Sequence, residues 1–141
     1  MLKKTIGSAE YINFLDFNLY NVPAKVDTGA DSSSVWASGI VETNDGLQFV
    51  VFGKESKLYT GHKIQLAKNQ YTQVTIINSF GHKEVRYKIK TKIQLAGRII
   101  RASFTLSDRS TMKYPCLIGK KTINNKFIVD VSHGNSLKGE G

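Results

Sequence analysis

Ala24-Lys25-Val26-Asp27-Thr28-Gly29-Ala30-Asp31-Ser32-Ser33-Ser34 sets a carboxylate in a tight Thr-Gly turn directly behind a short apolar approach. A carboxylate on a sharp turn can be thrust into a cleft, and Gly29 lets the backbone approach a partner closely at little steric cost. Thr28 can lock the turn through its hydroxyl. Asp27, Thr28 and Gly29 are therefore the candidate catalytic residues. Asp-Thr-Gly occurs once, so a catalytic Asp27 is half of a two-carboxylate site.

Whether one chain holds the whole site depends on its size. At 141 residues the chain is expected to be a single domain over residues 1–141 with a real core, ending in a frayed tail from about residue 136. A hydrophobic share of 40% and a charged share of 22% are those of an ordinary globule. No apolar run approaches the ~18 residues of a membrane span. Glu10, Asn13 and Asp16 interrupt what would have to be the apolar region of a signal peptide, so none is expected. Cys116 is the one cysteine, which forbids an intrachain disulfide and makes the cytoplasm the simplest compartment. The net charge of +9 attracts polyanions. The basic residues are nevertheless spread along the chain without a nucleic-acid-binding signature, so nucleic acid is not the expected partner.

The periodicity is that of strands. In Val85 to Leu95, Val85, Tyr87, Ile89, Ile93 and Leu95 share one face, while Arg86, Lys88, Lys90, Lys92 and Gln94 share the other. A short Ala96-Gly97-Arg98 turn leads into Ile99 to Leu106, giving an antiparallel hairpin. A second hairpin joins Ile40–Thr43 to Leu47–Phe52, with Asp45-Gly46 expected to supply the positive φ values. Tyr71–Asn78 and Phe127–Val131 are further strands, and Lys120–Asn124 is a short helical turn. The chain reads as one all-β domain.

Far downstream, Tyr114-Pro115-Cys116-Leu117-Ile118-Gly119-Lys120-Lys121-Thr122-Ile123 places two aliphatics and a glycine before that helical turn. With this segment the chain resembles the retropepsin-like aspartic peptidases known in genomes as ATP-dependent zinc proteases and encoded near RimK-type glutamate ligases. The resemblance runs from Ile6-Gly7 through Ala24 to Ala30 with Ser33-Ser34. It continues through Gly81-His82-Lys83-Glu84-Val85-Arg86 and Leu106-Ser107-Asp108-Arg109 with Met112, and closes on Leu117-Ile118-Gly119 and Phe127-Ile128-Val129-Asp130. Asp31 stands where the family often has a basic residue, and Trp36 where a histidine is common.

The resemblance implies a retropepsin-like closed β-barrel and a homodimer with its active site on the two-fold axis. One Asp-Thr-Gly per chain asks for the same thing, since only a second protomer can supply the other carboxylate. Two carboxylates about 3 Å apart cannot both ionise, so the pair shares a proton. The ionised member takes a proton from a bridging water, which attacks the peptide carbonyl while the protonated member donates to its oxygen. This chemistry needs no cofactor. His62, His82 and His133 are widely separated and no His-Glu-x-x-His is present, so no metal site is expected; no phosphate loop is present either.

The resemblance also assigns supporting roles. Leu117, Ile118 and Gly119 form the strand that holds the Asp27 turn, with Val26 and Leu117-Ile118 expected to cross beneath it. Lys120 is expected to pair with Asp31 and brace the dimer-facing loops. Ala30, Asp31, His82 and Arg86 are the candidate cleft residues. Arg86 and Arg109 either recognise acidic substrate or pair with Glu84 and Asp108. The flap is open between the Asp45-Gly46 hairpin and the stretch 53–63. Two function classes remain: a dimeric aspartic endopeptidase, acting on a peptide or protein that is acidic in one version, and a non-catalytic dimer of the same fold that binds a partner through its basic face.

Overall fold

The computed structural model describes residues 2–134, and the expected tail lies outside them. Strand β1 (Lys4–Ile6) leads into β2 (Ala9–Phe14), which buries Ala9, Ile12 and Phe14. A 3₁₀ turn over Leu15–Phe17 and left-handed Asn18 (φ 57°) and Asn21 (φ 58°) reverse the chain into β3 (Leu19–Val26). Asparagine tolerates this region better than most residues, and the Asn13 side chain accepts the Asn21 N–H at 2.9 Å. Pro23 pairs with Tyr11 of β2 just before β3 gains its second neighbour, so its missing N–H is not needed there.

Next come β4 (Ser33–Thr43), β5 (Gly46–Val51), β6 (Lys63–Leu66), β7 (Tyr71–Ile77), β8 (Lys83–Leu95) and β9 (Arg98–Ser107). The chain closes with β10 (Cys116–Ile118), helical turn α1 (Lys120–Ile123) and β11 (Phe127–Val129), which lies parallel to β1. Strands β10, β3, β2, β8, β9 and β4 pair in that order, and β4 pairs back onto β10, so six strands close a barrel. Beyond it, the outer part of β4 carries β5 and β6, and β8 carries β7. Phe14 and Phe104 meet at 5.1 Å in the core with Ile12, Ile89, Ile93, Leu95 and Ile118 buried around them.

The β8–β9 hairpin forms as its alternation predicts, with Leu95 opposite Arg98 and the turn at Ala96 (φ 51°) and Gly97 (φ 78°). Val85 is the exception: it is 63% exposed, because residues 83–87 run past the barrel and pair with β7 alone. The second hairpin turns through Asn44-Asp45, neither at positive φ; Gly46 alone is (φ 132°). Gly46 is required by contact as well, since a Cβ there would lie 2.0 Å from the Leu66 carbonyl oxygen of β6.

Glu42, near the end of β4, accepts hydrogen bonds from the hydroxyls of Tyr71 on β7 and Tyr87 on β8, joining the two outlying pairs of strands. The hydrogen bond to the Glu42 carboxylate is the largest cause holding the Tyr71 phenol up at about 12. The raised value means that this contact contributes fully below the ordinary tyrosine value and is lost as pH climbs from there through about 12. A spectrophotometric titration should find one tyrosine ionising near 12, and Glu42→Gln should bring it down.

Candidate active site

Val26 ends β3 beside Ile118, and the two strands run parallel with Ala24 opposite Cys116 and Lys25 opposite Leu117. They do not cross beneath the turn as expected; they lie side by side, and β10 is flanked on its other edge by β4. This arrangement gives Asp27 its position: its N–H donates to the Ile118 carbonyl at 2.9 Å, extending the parallel pairing by one step. The chain then folds back, with the Gly29 N–H donating to Asp27 Oδ1 at 2.9 Å and the Ala30 N–H to the Asp27 carbonyl at 3.3 Å. These bonds hold the turn. The Thr28 hydroxyl does not, since Thr28 is exposed and makes no such bond among the described residues. Asp27 is half-buried, so its carboxylate meets solvent from a rigid base.

The second wall of the turn is the segment after β10. The N–H groups of Lys120 and Lys121 donate to the carbonyls of Ala30 (2.7 Å) and Asp31 (3.1 Å). Gly119 fits because it has no side chain: a Cβ would stand 2.5 Å from the Ser32 carbonyl oxygen and 3.0 Å from that of Ala30. The Gly119 N–H donates to Ser33 Oγ at 3.0 Å, and Ser33 Oγ lies 2.7 Å from Thr122 Oγ1 in a buried pair. Lys120 Nζ sits 3.1 Å from Asp31 Oδ1, the expected ion pair, with both side chains largely in water. The supporting role of Ser33 and Thr122 was not read from the sequence, where serines after the turn carry no distinguishing pattern.

The remaining candidates lie apart from this turn. His82 is exposed in the loop between β7 and β8, where its N–H and that of Phe80 donate to the Asn78 side chain. That hairpin runs past the β8–β9 pairing, and its Ile77, Phe80 and Val85 are exposed. Of the two flap candidates, the Asp45-Gly46 hairpin is packed against β6 through Gly46.

Arg86 donates to Glu84 Oε2 at 3.0 Å and lines a groove with Trp36, Tyr59 and Tyr87 that does not include Asp27. Its Nε is buried and has no hydrogen-bond partner among the described residues. Arg109 does not pair with Asp108. It is buried, donating from Nε to the Tyr114 carbonyl (2.9 Å) and from Nη1 to Ser34 Oγ (3.3 Å), while Asp108 accepts the Ser110 N–H. Burial, and to a lesser degree the Arg86 charge, push the Arg109 guanidinium below its ordinary value. Among the described residues no group of three or more His, Cys, Asp and Glu side chains is placed to hold a metal ion, and no helix is long and apolar enough to cross a membrane.

Residues 5–138 match the family model described as RimB-like, "Retropepsin-like aspartic endopeptidase RimB". A Desulfotalea psychrophila protein named "Probable alpha-L-glutamate ligase" is 30% identical over 130 residues, a match covering 91% of this chain and 28% of that protein. A Shewanella pealeana protein of the same name is 32% identical over 142 residues, covering 99% and 31%. The chain thus spans about three tenths of the length of the curated relatives it matches. The crystal structure of a Legionella pneumophila protein of unknown function superimposes with a TM-score of 0.71 at 26% identity, over 93% of this chain and 95% of that one.

Proposed function

The chain belongs to the RimB-like family of retropepsin-like aspartic endopeptidases, and from that premise we propose that it is an aspartic endopeptidase that works as a homodimer on acidic, glutamate-rich peptides. The observation that carries this reading is the Asp27 turn, anchored on Ile118 and walled by Gly119, which presents one carboxylate per chain. Two such turns facing each other across a two-fold axis make a dyad that shares one proton. The ionised Asp27 deprotonates the attacking water and the protonated one donates to the carbonyl oxygen, so neither metal nor cofactor enters the step. The projecting β7–β8 hairpin, with Phe80 at its tip and His82 beside it, is the flap in this reading.

Two features support an acidic substrate. The chain carries a net charge of +9, and relatives that contain a region like this chain bear the name of a glutamate ligase. A chain cutting what such a ligase joins would meet runs of glutamate, in the cytoplasm where a lone cysteine stays reduced. The test is incubation with oligoglutamate and with oligoglutamine of equal length, followed by mass spectrometry from pH 4 to 8. Fragments from oligoglutamate alone are expected. If neither peptide is cut but oligoglutamate is retained, the protein is a binding module acting through its basic face.

The Asp31–Lys120 pair braces the loop that would face the partner protomer. Because exposed ion pairs contribute ~0–1 kcal/mol, Lys120→Ala should weaken the dimer by up to about fivefold in sedimentation equilibrium. An unchanged dimer constant removes that role.

A further inference from the structure

Strand β9 outruns β4. Their pairing covers only Phe104 to Ser107 of β9, so the earlier part of β9 has no strand on that side. The gap is walled on one side by β8, on the other by α1 and by Lys126 beyond it, and holds a pocket of about 160 Å³. Its lining brings together five cations from three parts of the chain: Lys88 and Lys90 of β8, Arg101 of β9, and Lys121 of α1 with Lys126 shortly after it. No carboxylate lines it, and among the described residues none of the five forms an ion pair. Barrel closure creates this cluster, since α1 is distant from β8 in sequence.

Such a cluster is unfavourable when empty. The five cations line one small space, where like charges repel unless an anion lies between them. We propose that this pocket is a binding site for a phosphate group. A carboxylate offers two oxygens in a plane and one charge. A phosphate offers oxygens in several directions and close to two charges, which suits ammonium and guanidinium donors gathered from β8, β9 and residues 121–126, with Ser103 in the same wall. The site shares no lining residue with the Arg86 groove. Its wall contains Ser33 and Thr122, so it lies behind the Asp27 turn and does not depend on whether that turn cuts peptides.

The experiment is calorimetric titration with inorganic phosphate and, separately, with glycerol phosphate as a monoester. Glutarate and sodium chloride at matched ionic strength are the controls. Inorganic phosphate should bind, and Lys90→Glu/Lys121→Glu should weaken it at least about tenfold, while Lys57→Glu, outside the pocket, should change it less than about twofold. Binding of the monoester alone would place the phosphate on an organic carrier and still support the site. Equal responses to chloride, glutarate binding as tightly as phosphate, or full binding by the double variant would each overturn it. Circular dichroism of the double variant establishes that lost binding is not lost folding.

Discussion

Asp27→Asn is expected to lower peptide hydrolysis by at least about a thousandfold, the upper range for removing a general acid–base group. The fold should survive. Asp27 accepts the Gly29 N–H through Oδ1 and its own backbone makes the bonds to Ile118 and Ala30, all of which an asparagine can reproduce. What an asparagine cannot do is take the proton from water, and in a dimer both copies fail together. Parallel thermal unfolding of the two proteins, together with cleavage of an acidic peptide, separates lost chemistry from lost structure. Equal cleavage by the two proteins would remove Asp27 from the reaction.

Gly119→Ala should be nearly as damaging by a different route. The φ of Gly119 is −99°, open to any residue, so its constraint is space rather than backbone conformation. The added Cβ would meet two backbone oxygens, of Ser32 at 2.5 Å and Ala30 at 3.0 Å, and neither can rotate away as a side chain could. Overpacking of this kind costs about 1–3 kcal/mol, and chemical denaturation should read a loss at the upper end of that range. The 30–32 backbone must move to make room, carrying the Asp27 turn with it, and a displacement approaching 1 Å lowers activity by about a hundredfold. A stability change below about 0.5 kcal/mol would mean that the two segments are not locked together.

Much of this arrangement was legible because local pattern and tertiary role coincide. The alternation from Ile89 to Leu95 marks the wet and dry faces of a barrel strand. Leu117-Ile118-Gly119 and the Asp31–Lys120 pair were legible only through the family resemblance, and the structure supplies the reason for the glycine: a Cβ there would meet the Ser32 carbonyl. Strand β2, and β3 before its end at Val26, were not legible, since Asn13, Asn21 and Pro23 interrupt their alternation and the left-handed asparagines carry the reversal. Alternation also says which face a residue takes but not where the barrel ends, which is why Val85 emerges into solvent. Arg109 looks like the partner of its neighbour Asp108, yet its acceptors, Tyr114 and Ser34, come from the segment before β10 and from β4.

Every step of the catalytic reading rests on a carboxylate contributed by each of two chains. The most direct measurement is therefore specific activity against protein concentration, taken through the range in which sedimentation shows the dimer dissociating. Activity per chain should fall in proportion to the dimer fraction and return on concentration. Activity per chain that stays constant where only monomer is present would contradict a shared Asp27 site.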